Sequence, residues 1–232
     1  MKLGNVTITG ADERTRPYDL CELYDDFPFV EWGILCSHSR EGKDPRYPSR
    51  AWIEKLLDRS KPNLPLAGHL CGKFAREAVH GPFTWAINRH QQFTRFTRLQ
   101  LNGVQVAPST LDLVSTLSAE IEKTFVLQIN DFDCFASGYV FPPKESVEFL
   151  VDASGGRGKP LDCFSAPPDD VLAGYSGGIG PDNIREVLER LTAIESDHYF
   201  WIDMESGVRT DDWFDLAKVE ACLKIAAEFS QP

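Results

Sequence analysis

Three segments in the last third of the chain decide the fold: Val147-Glu-Phe-Leu-Val-Asp152, Val171-Leu-Ala-Gly-Tyr-Ser176 and Tyr199-Phe-Trp-Ile-Asp203. Each is a short apolar run, partly β-branched or aromatic, that ends in a carboxylate or a small polar residue. Each then runs into glycine, at Gly155-Gly156-Arg157-Gly158, at Gly177-Gly178-Ile179-Gly180 and at Ser206-Gly207. Near-continuous apolar runs are how parallel strands read when both faces are covered. Functional groups at the carboxyl ends of successive parallel strands are the layout of a (β/α)8 barrel, and that is the predicted fold.

The glycines suit an anion. Gly177 and Gly178 let backbone N–H groups approach a ligand with no side chain in the way. Pro181 fits the first position of a helix, predicted from Pro181 to about Ile194, whose apolar residues Ile184, Val187, Leu188, Leu191 and Ile194 form one stripe. A helix N-terminus adds free donors and partial positive charge. Ser206 and Gly207 supply a second set of donors from the next loop. Glycines of this kind also serve plain tight turns; two pairs on neighbouring units favour a phosphate site.

Working back toward the start, five more strands can be counted: Leu3 to Thr9, Pro28 to Cys36, Leu64 to Leu70, Arg98 to Asn102 and Phe125 to Ile129. Helical stripes lie between them, from Ser49 to Leu57, in pieces over 72–96, and from Ser109 to Glu122 with Ser109 or Thr110 as cap. A last helix, Phe214 to Phe229, closes the barrel. Pro142-Pro143 and Pro160, Pro167 and Pro168 leave no room for full fifth and sixth helices. The expectation is one domain over residues 1–232, a length with enough apolar content to bury one large core.

At this point the motifs resemble a known family. Asp152 followed by Gly-Gly-Arg-Gly-Lys, then Gly177-Gly-Ile-Gly-Pro-Asp-Asn183, then Asp203-Met-Glu-Ser-Gly-Val208 look like phosphoribosylanthranilate isomerase, a ribulose-phosphate-binding barrel of tryptophan synthesis. The resemblance implies aldose-to-ketose (Amadori) isomerisation of a phosphorylated amino sugar, with Asp152 as the acid that protonates the furanose ring oxygen. Asp203 would hold the substrate amine or take a proton itself. Arg46, in Asp44-Pro45-Arg46-Tyr47, resembles the arginine that contacts the substrate carboxylate; a solvated loop arginine is the plain alternative. Phosphate would lie on Gly156, Gly177, Gly178, Ser206 and Gly207. The family's base is a cysteine before the first glycine; here that position is Thr9, whose hydroxyl has no ionised form near neutral pH. A barrel that binds a phosphosugar without turnover, or a related epimerase or lyase, are the alternatives that follow.

Other constellations are weaker. His69 and Cys71 share a strand face, which allows a metal pair or an activated thiol, but a buried histidine beside an inert core cysteine is the commoner case. Cys71 is also the candidate for a relocated thiol. Asp131 and Asp133 follow the fifth strand, where loop aspartates are mostly solvated. The six cysteines are scattered without a C-x-x-C pair, so they read as reduced thiols. No metal and no cofactor is expected. A net charge of −11 argues against nucleic acid as a partner. No apolar run approaches a membrane span and the first residues lack a signal-peptide design, so the expectation is a cytoplasmic monomer or homodimer acting on a small phosphosugar.

Overall fold

Eight parallel strands close on themselves in the order β1-β2-β3-β4-β5-β6-β7-β8, with β1 paired to both β2 and β8. They are β1 (Lys2–Thr9), β2 (Val30–Ser37), β3 (Leu66–Cys71), β4 (Arg98–Leu101), β5 (Thr124–Ile129), β6 (Val147–Val151), β7 (Ala173–Tyr175) and β8 (Tyr199–Met204). The computed structural model describes residues 1–59, 63–80, 91–135, 138–152 and 164–230. The predicted (β/α)8 barrel is therefore observed, and each strand falls within two residues of its sequence-based bounds.

The outer layer holds α1 (Pro17–Asp26), α2 (Arg50–Arg59), α3 (Lys73–His80), α4 (Pro108–Ile121), α5 (Ile184–Thr192) and α6 (Leu216–Ala227). Helix α1 was not read from the sequence, although Pro17 at its first turn and buried Leu20 and Cys21 are its signature. Helix α4 is capped by Ala107 with Pro108 at the first position, not by Ser109 or Thr110; proline's fixed φ starts the helix there, and Thr110 Oγ1 turns back to donate to the Gln105 carbonyl. Helix α6 begins after Asp215, whose carboxylate accepts from the N–H groups of Ala217 and Lys218. Trp213 and Phe214 instead form β10, which pairs antiparallel with β9 (Arg209–Thr210).

The predicted loss of the fifth helix has a physical substitute. Among the described residues after β5 there is only one 3-10 turn before β6, Phe132–Cys134, capped by the Asp131 carboxylate. Phe132, Phe135 and Phe141 pack edge-on against Phe149 of β6, with ring centroids 5.6 to 5.8 Å apart. These aromatics bury the outer face of the strand that a helix would have covered. Residues 153–163, where a shortened sixth helix was expected to begin, lie outside the described residues, and 164–172 carry no helix.

Strand pleating sends alternate residues into the barrel. Following the register places Glu31, Arg98, Glu148 and Trp201, from the even strands, at one level near the bottom. Arg98 is the hub of this layer. It pairs with Glu31 and Glu148, donates to Thr7 Oγ1 at 3.0 Å and stacks 4.2 Å over the Trp201 ring. Val126 and Leu150, above this layer, pack with Trp201 in a small apolar cluster, separate from the large core between strands and helices. Removing one partner from a buried ionic layer strands the others without compensation. Arg98→Met should therefore cost about 3–5 kcal/mol, a fall of roughly 10 °C in Tm. Adding Glu31→Gln and Glu148→Gln to that variant should recover much of the loss; a single variant as stable as the parent would show that the layer is dispensable.

Candidate active site

A cavity of about 610 Å³ opens at the carboxyl ends of the strands. That size suits a small-molecule ligand. Asp152, directly after β6, lines it and accepts a 2.7 Å hydrogen bond from Gln128 Nε2 on β5. Asp203 on β8 lines it too, and Oδ1 of Asp203 accepts from the Thr9 hydroxyl at 2.7 Å. Thr9 is fully buried behind Asp203 and is not part of the cavity lining. The pair forms because β1 and β8 are register neighbours and residue 33, opposite Thr9 on β2, is glycine. A Cβ at Gly33 would come within 2.2 Å of Thr9 Oγ1 and 2.9 Å of His69 Nε2.

Burial pushes Asp203 up to about 7; the Thr9 hydrogen bond pulls the other way, and the nearby Glu205 carboxylate adds to the rise. Below it, burial and then the Arg98 guanidinium hold His69 down at about 3, so its ring is neutral. Cys71 lines the cavity, half-buried, and burial raises its pKa, so it is a thiol rather than a thiolate near neutral pH. His69 and Cys71 thus share the inner face of β3 at different depths. Among the described residues no group of three metal-ligating side chains gathers, and the five cysteines there are all unpaired.

Gly177 and Gly178 line the cavity with φ of +128° and +61°, in the region that glycine tolerates best. No group among the described residues takes the N–H of either one. The predicted helix start needs correction. Pro181, Asp182 and Asn183 form a turn, and α5 begins at Ile184. Asn183 causes this: its Oδ1 accepts from Gly180 N at 2.8 Å while its Nδ2 donates to the Gly178 carbonyl at 3.1 Å. Its side chain thereby braces the glycine loop. Ser206 lines the cavity at the start of a 3-10 turn, Ser206–Val208. Gly207 sits behind it, packed so closely that a Cβ would lie 2.0 Å from the Ile179 carbonyl oxygen. Gly156 lies outside the described residues.

Arg46 reaches the same cavity from the β2–α2 loop, but its guanidinium is engaged. Nη1 donates to Glu205 at 2.8 Å and to Ser206 Oγ at 3.3 Å, and Nε donates to Asp212 at 2.8 Å. Glu205 and Asp212 were not singled out from the sequence, and neither was Arg209. Arg209 is buried and ties three loops together, donating to the carbonyls of Gly10, Pro45 and Asp212 and pairing with Asp12 at 3.1 Å. Arg209 and Asp212 belong to the β9–β10 hairpin, which has no alternating run long enough to notice, and Glu205 directly follows β8.

No helix among the described residues is long and apolar enough to cross a membrane. The chain is similar in fold to TrpF from Jonesia denitrificans, with 16% identity, TM-score 0.62 and 97% of each chain covered. It is likewise similar to phosphoribosyl anthranilate isomerase from Thermotoga maritima, with 16% identity and TM-score 0.61 over 98% of this chain and 100% of that one. A third similar structure, at 14% identity and TM-score 0.58 over 98% of this chain and 100% of that one, is a phosphoribosyl anthranilate isomerase in complex with reduced 1-(o-carboxyphenylamino)-1-deoxyribulose 5-phosphate. No curated protein matches the sequence significantly. Residues 86–225 match the family model for N-(5'-phosphoribosyl)anthranilate (PRA) isomerase, which is more than half of the chain. With the barrel, the carboxylates at its mouth and the glycine loops in place, the chain belongs to the PRA isomerase family.

Proposed function

We propose that this chain, as one barrel domain, catalyses the aldose-to-ketose isomerisation of a phosphorylated amino sugar. The observation that carries the reading is the placement of Asp152 and Asp203 in one cavity, beside a glycine loop whose N–H groups are unclaimed among the described residues. Asp152 gives its proton to the furanose ring oxygen. The bond from that oxygen to C1′ breaks, and the nitrogen lone pair closes a C1′=N⁺ iminium. A base then removes the proton from C2′, and its electron pair forms the C1′=C2′ double bond of an enolamine. Return of a proton to C1′, with loss of the hydroxyl proton at O2′, leaves the ketone.

Asp203 is assigned as that base. It faces the cavity, while Thr9 touches Asp203 and not the ligand space. A carboxylate with a pKa near 7 has the basicity that a threonine hydroxyl lacks. Thr9 is then a positioning residue, which holds one carboxylate oxygen. This weighs for an enzyme over a barrel that only binds, because the binding-only reading drew on threonine in the base position.

The phosphate is assigned to the N–H groups of Gly177 and Gly178 with Ser206 alongside, Gly207 serving to seat the two loops. The comparison structure in complex with a deoxyribulose 5-phosphate derivative supports a ligand of this class. Incubating the protein with the 5-phosphoribosyl derivative of an aromatic amine should yield the ketose, and the dephosphorylated substrate should be turned over at least about a hundredfold less well. Gly178→Asp places a carboxylate at the anion site in a backbone conformation that aspartate tolerates. It should weaken ribulose 5-phosphate binding by at least tenfold, on the order of 1.4 kcal/mol. Unchanged affinity in a folded variant would remove the phosphate assignment.

A further inference from the structure

Two guanidiniums, Arg40 and Arg46, line the cavity, and they differ in the donors they have left. A guanidinium grips a carboxylate best along an edge that offers two N–H groups, either Nε with Nη2 or Nη1 with Nη2. Arg46 has spent a donor on each edge. Its Nε holds Asp212 and its Nη1 holds Glu205, both at 2.8 Å, and Nη1 also reaches Ser206 Oγ at 3.3 Å. Two carboxylates outweigh the one positive charge between them, so a third would meet net repulsion.

Arg40 is placed differently. Its guanidinium lies over the Tyr47 ring, 5.4 Å from the centroid, and Nη1 donates to the Tyr47 hydroxyl at 3.4 Å. Tyr47 is itself buried, with its hydroxyl against the Cys71 sulfur at the end of β3. The aromatic face gives an exposed side chain a fixed seat. No carboxylate pairs with Arg40 among the described residues, and its Nε–Nη2 edge is open. Asp44, which also lines the cavity, turns instead to the Arg46 N–H at 3.0 Å.

The two arginines also stand at different ends. In a ring of eight strands β3 lies opposite β7, so Cys71, Tyr47 and Arg40 look across the cavity at the Gly177-Gly178 loop. Arg46, bonded to Ser206, stands on the β8 side with the residues assigned to phosphate. A ligand anchored at Gly177 and Gly178 and passing Asp203 brings its far end to Arg40. We infer that, within the isomerase reading on which this rests, Arg40 is a specificity-determining residue that takes the carboxylate of the substrate's aryl amine on its open edge, in place of Arg46.

Calorimetric titration with three ligands tests this: reduced 1-(o-carboxyphenylamino)-1-deoxyribulose 5-phosphate, its uncharged o-carbamoyl counterpart and ribulose 5-phosphate. The wild type should bind the carboxylate compound at least about tenfold tighter than the carbamoyl compound. Arg40→Met should remove that preference and leave the carbamoyl compound and ribulose 5-phosphate bound as before, since the side chain is exposed and the fold does not rest on it. Arg40→Lys, which keeps the charge but not the fork, should restore part of the preference. An Arg40→Met protein that keeps the preference while binding ribulose 5-phosphate normally overturns the inference. So does a wild type that binds the two aryl compounds equally, and in both cases the phosphosugar reading stands. If none of the three ligands binds the wild type, the isomerase reading itself falls.

Discussion

An Asp152→Asn enzyme should lose about 10³-fold in kcat on a phosphoribosyl amine, with ligand affinity changed little. Ring opening puts negative charge on the leaving furanose oxygen, and a positioned acid that neutralises it contributes roughly 10² to 10⁴ in rate. Asparagine keeps the shape and can still accept the 2.7 Å bond from Gln128. The variant therefore isolates the proton from the packing. Steady-state assays with a calorimetric check of product-analogue binding separate the two. A variant within threefold of the parent would remove Asp152 from the acid role.

Asp203→Asn should be as damaging to turnover and should also leave a mark on stability that Asp152→Asn does not predict. The wild-type rate should rise with pH to a midpoint near 7, because Asp203 must be ionised to take the C2′ proton. Thr9→Val removes the donor that favours the ionised form, so this ascending limb should move to higher pH while the limiting rate is largely kept. Folded Asp203 holds its proton up to about 7, against 3.8 for an ordinary aspartate. Between those values the native state binds more protons than the unfolded chain, so stability falls as pH rises through the window. The loss at full ionisation is on the order of 4 kcal/mol, and asparagine escapes it. Asp203→Asn should thus melt well above the wild type at pH 8 and close to it at pH 4. Parallel melting curves at both pH values, or a flat wild-type rate between pH 5 and 8, would show that Asp203 is not the titrating base.

The strands were legible because covered parallel strands leave long apolar runs, as in Phe149-Leu-Val151, and because the last three each end in a polar residue and run on into glycine. Asp152 and Asp203 could be singled out for the same reason. The partner of Thr9 could not, since that hydrogen bond joins residues 194 apart in sequence and exists only because β1 closes on β8. The buried layer around Arg98 had a signal that passed unread: Glu31 in Val30-Glu-Trp32 and Glu148 in Val147-Glu-Phe149 are lone charges at inward positions of apolar strands. A charge there demands a partner across the barrel. The engagement of Arg46 depended on Glu205, directly after β8, and on Asp212, in the turn of a hairpin whose two-residue strands are too short to show a period. Where Asn183 braces the glycine loop, a proline rule that holds for isolated helices gave way to a turn held by the Asn183 side chain two residues further on.

The backbone contact between Gly207 and the segment Ile179-Gly180 has a bearing on how ligand arrives. The two loops to which we assign the phosphate touch main chain to main chain, with no side chain between them that could rotate and let one loop slide past the other. Their relative order is established when the barrel closes, and little further conformational entropy is lost when a phosphate ester docks. Association at this end is then limited by diffusional encounter, slowed by viscosity and by the repulsion of like charges between an acidic protein and an anionic ester, and not by a loop that has to fold around its guest.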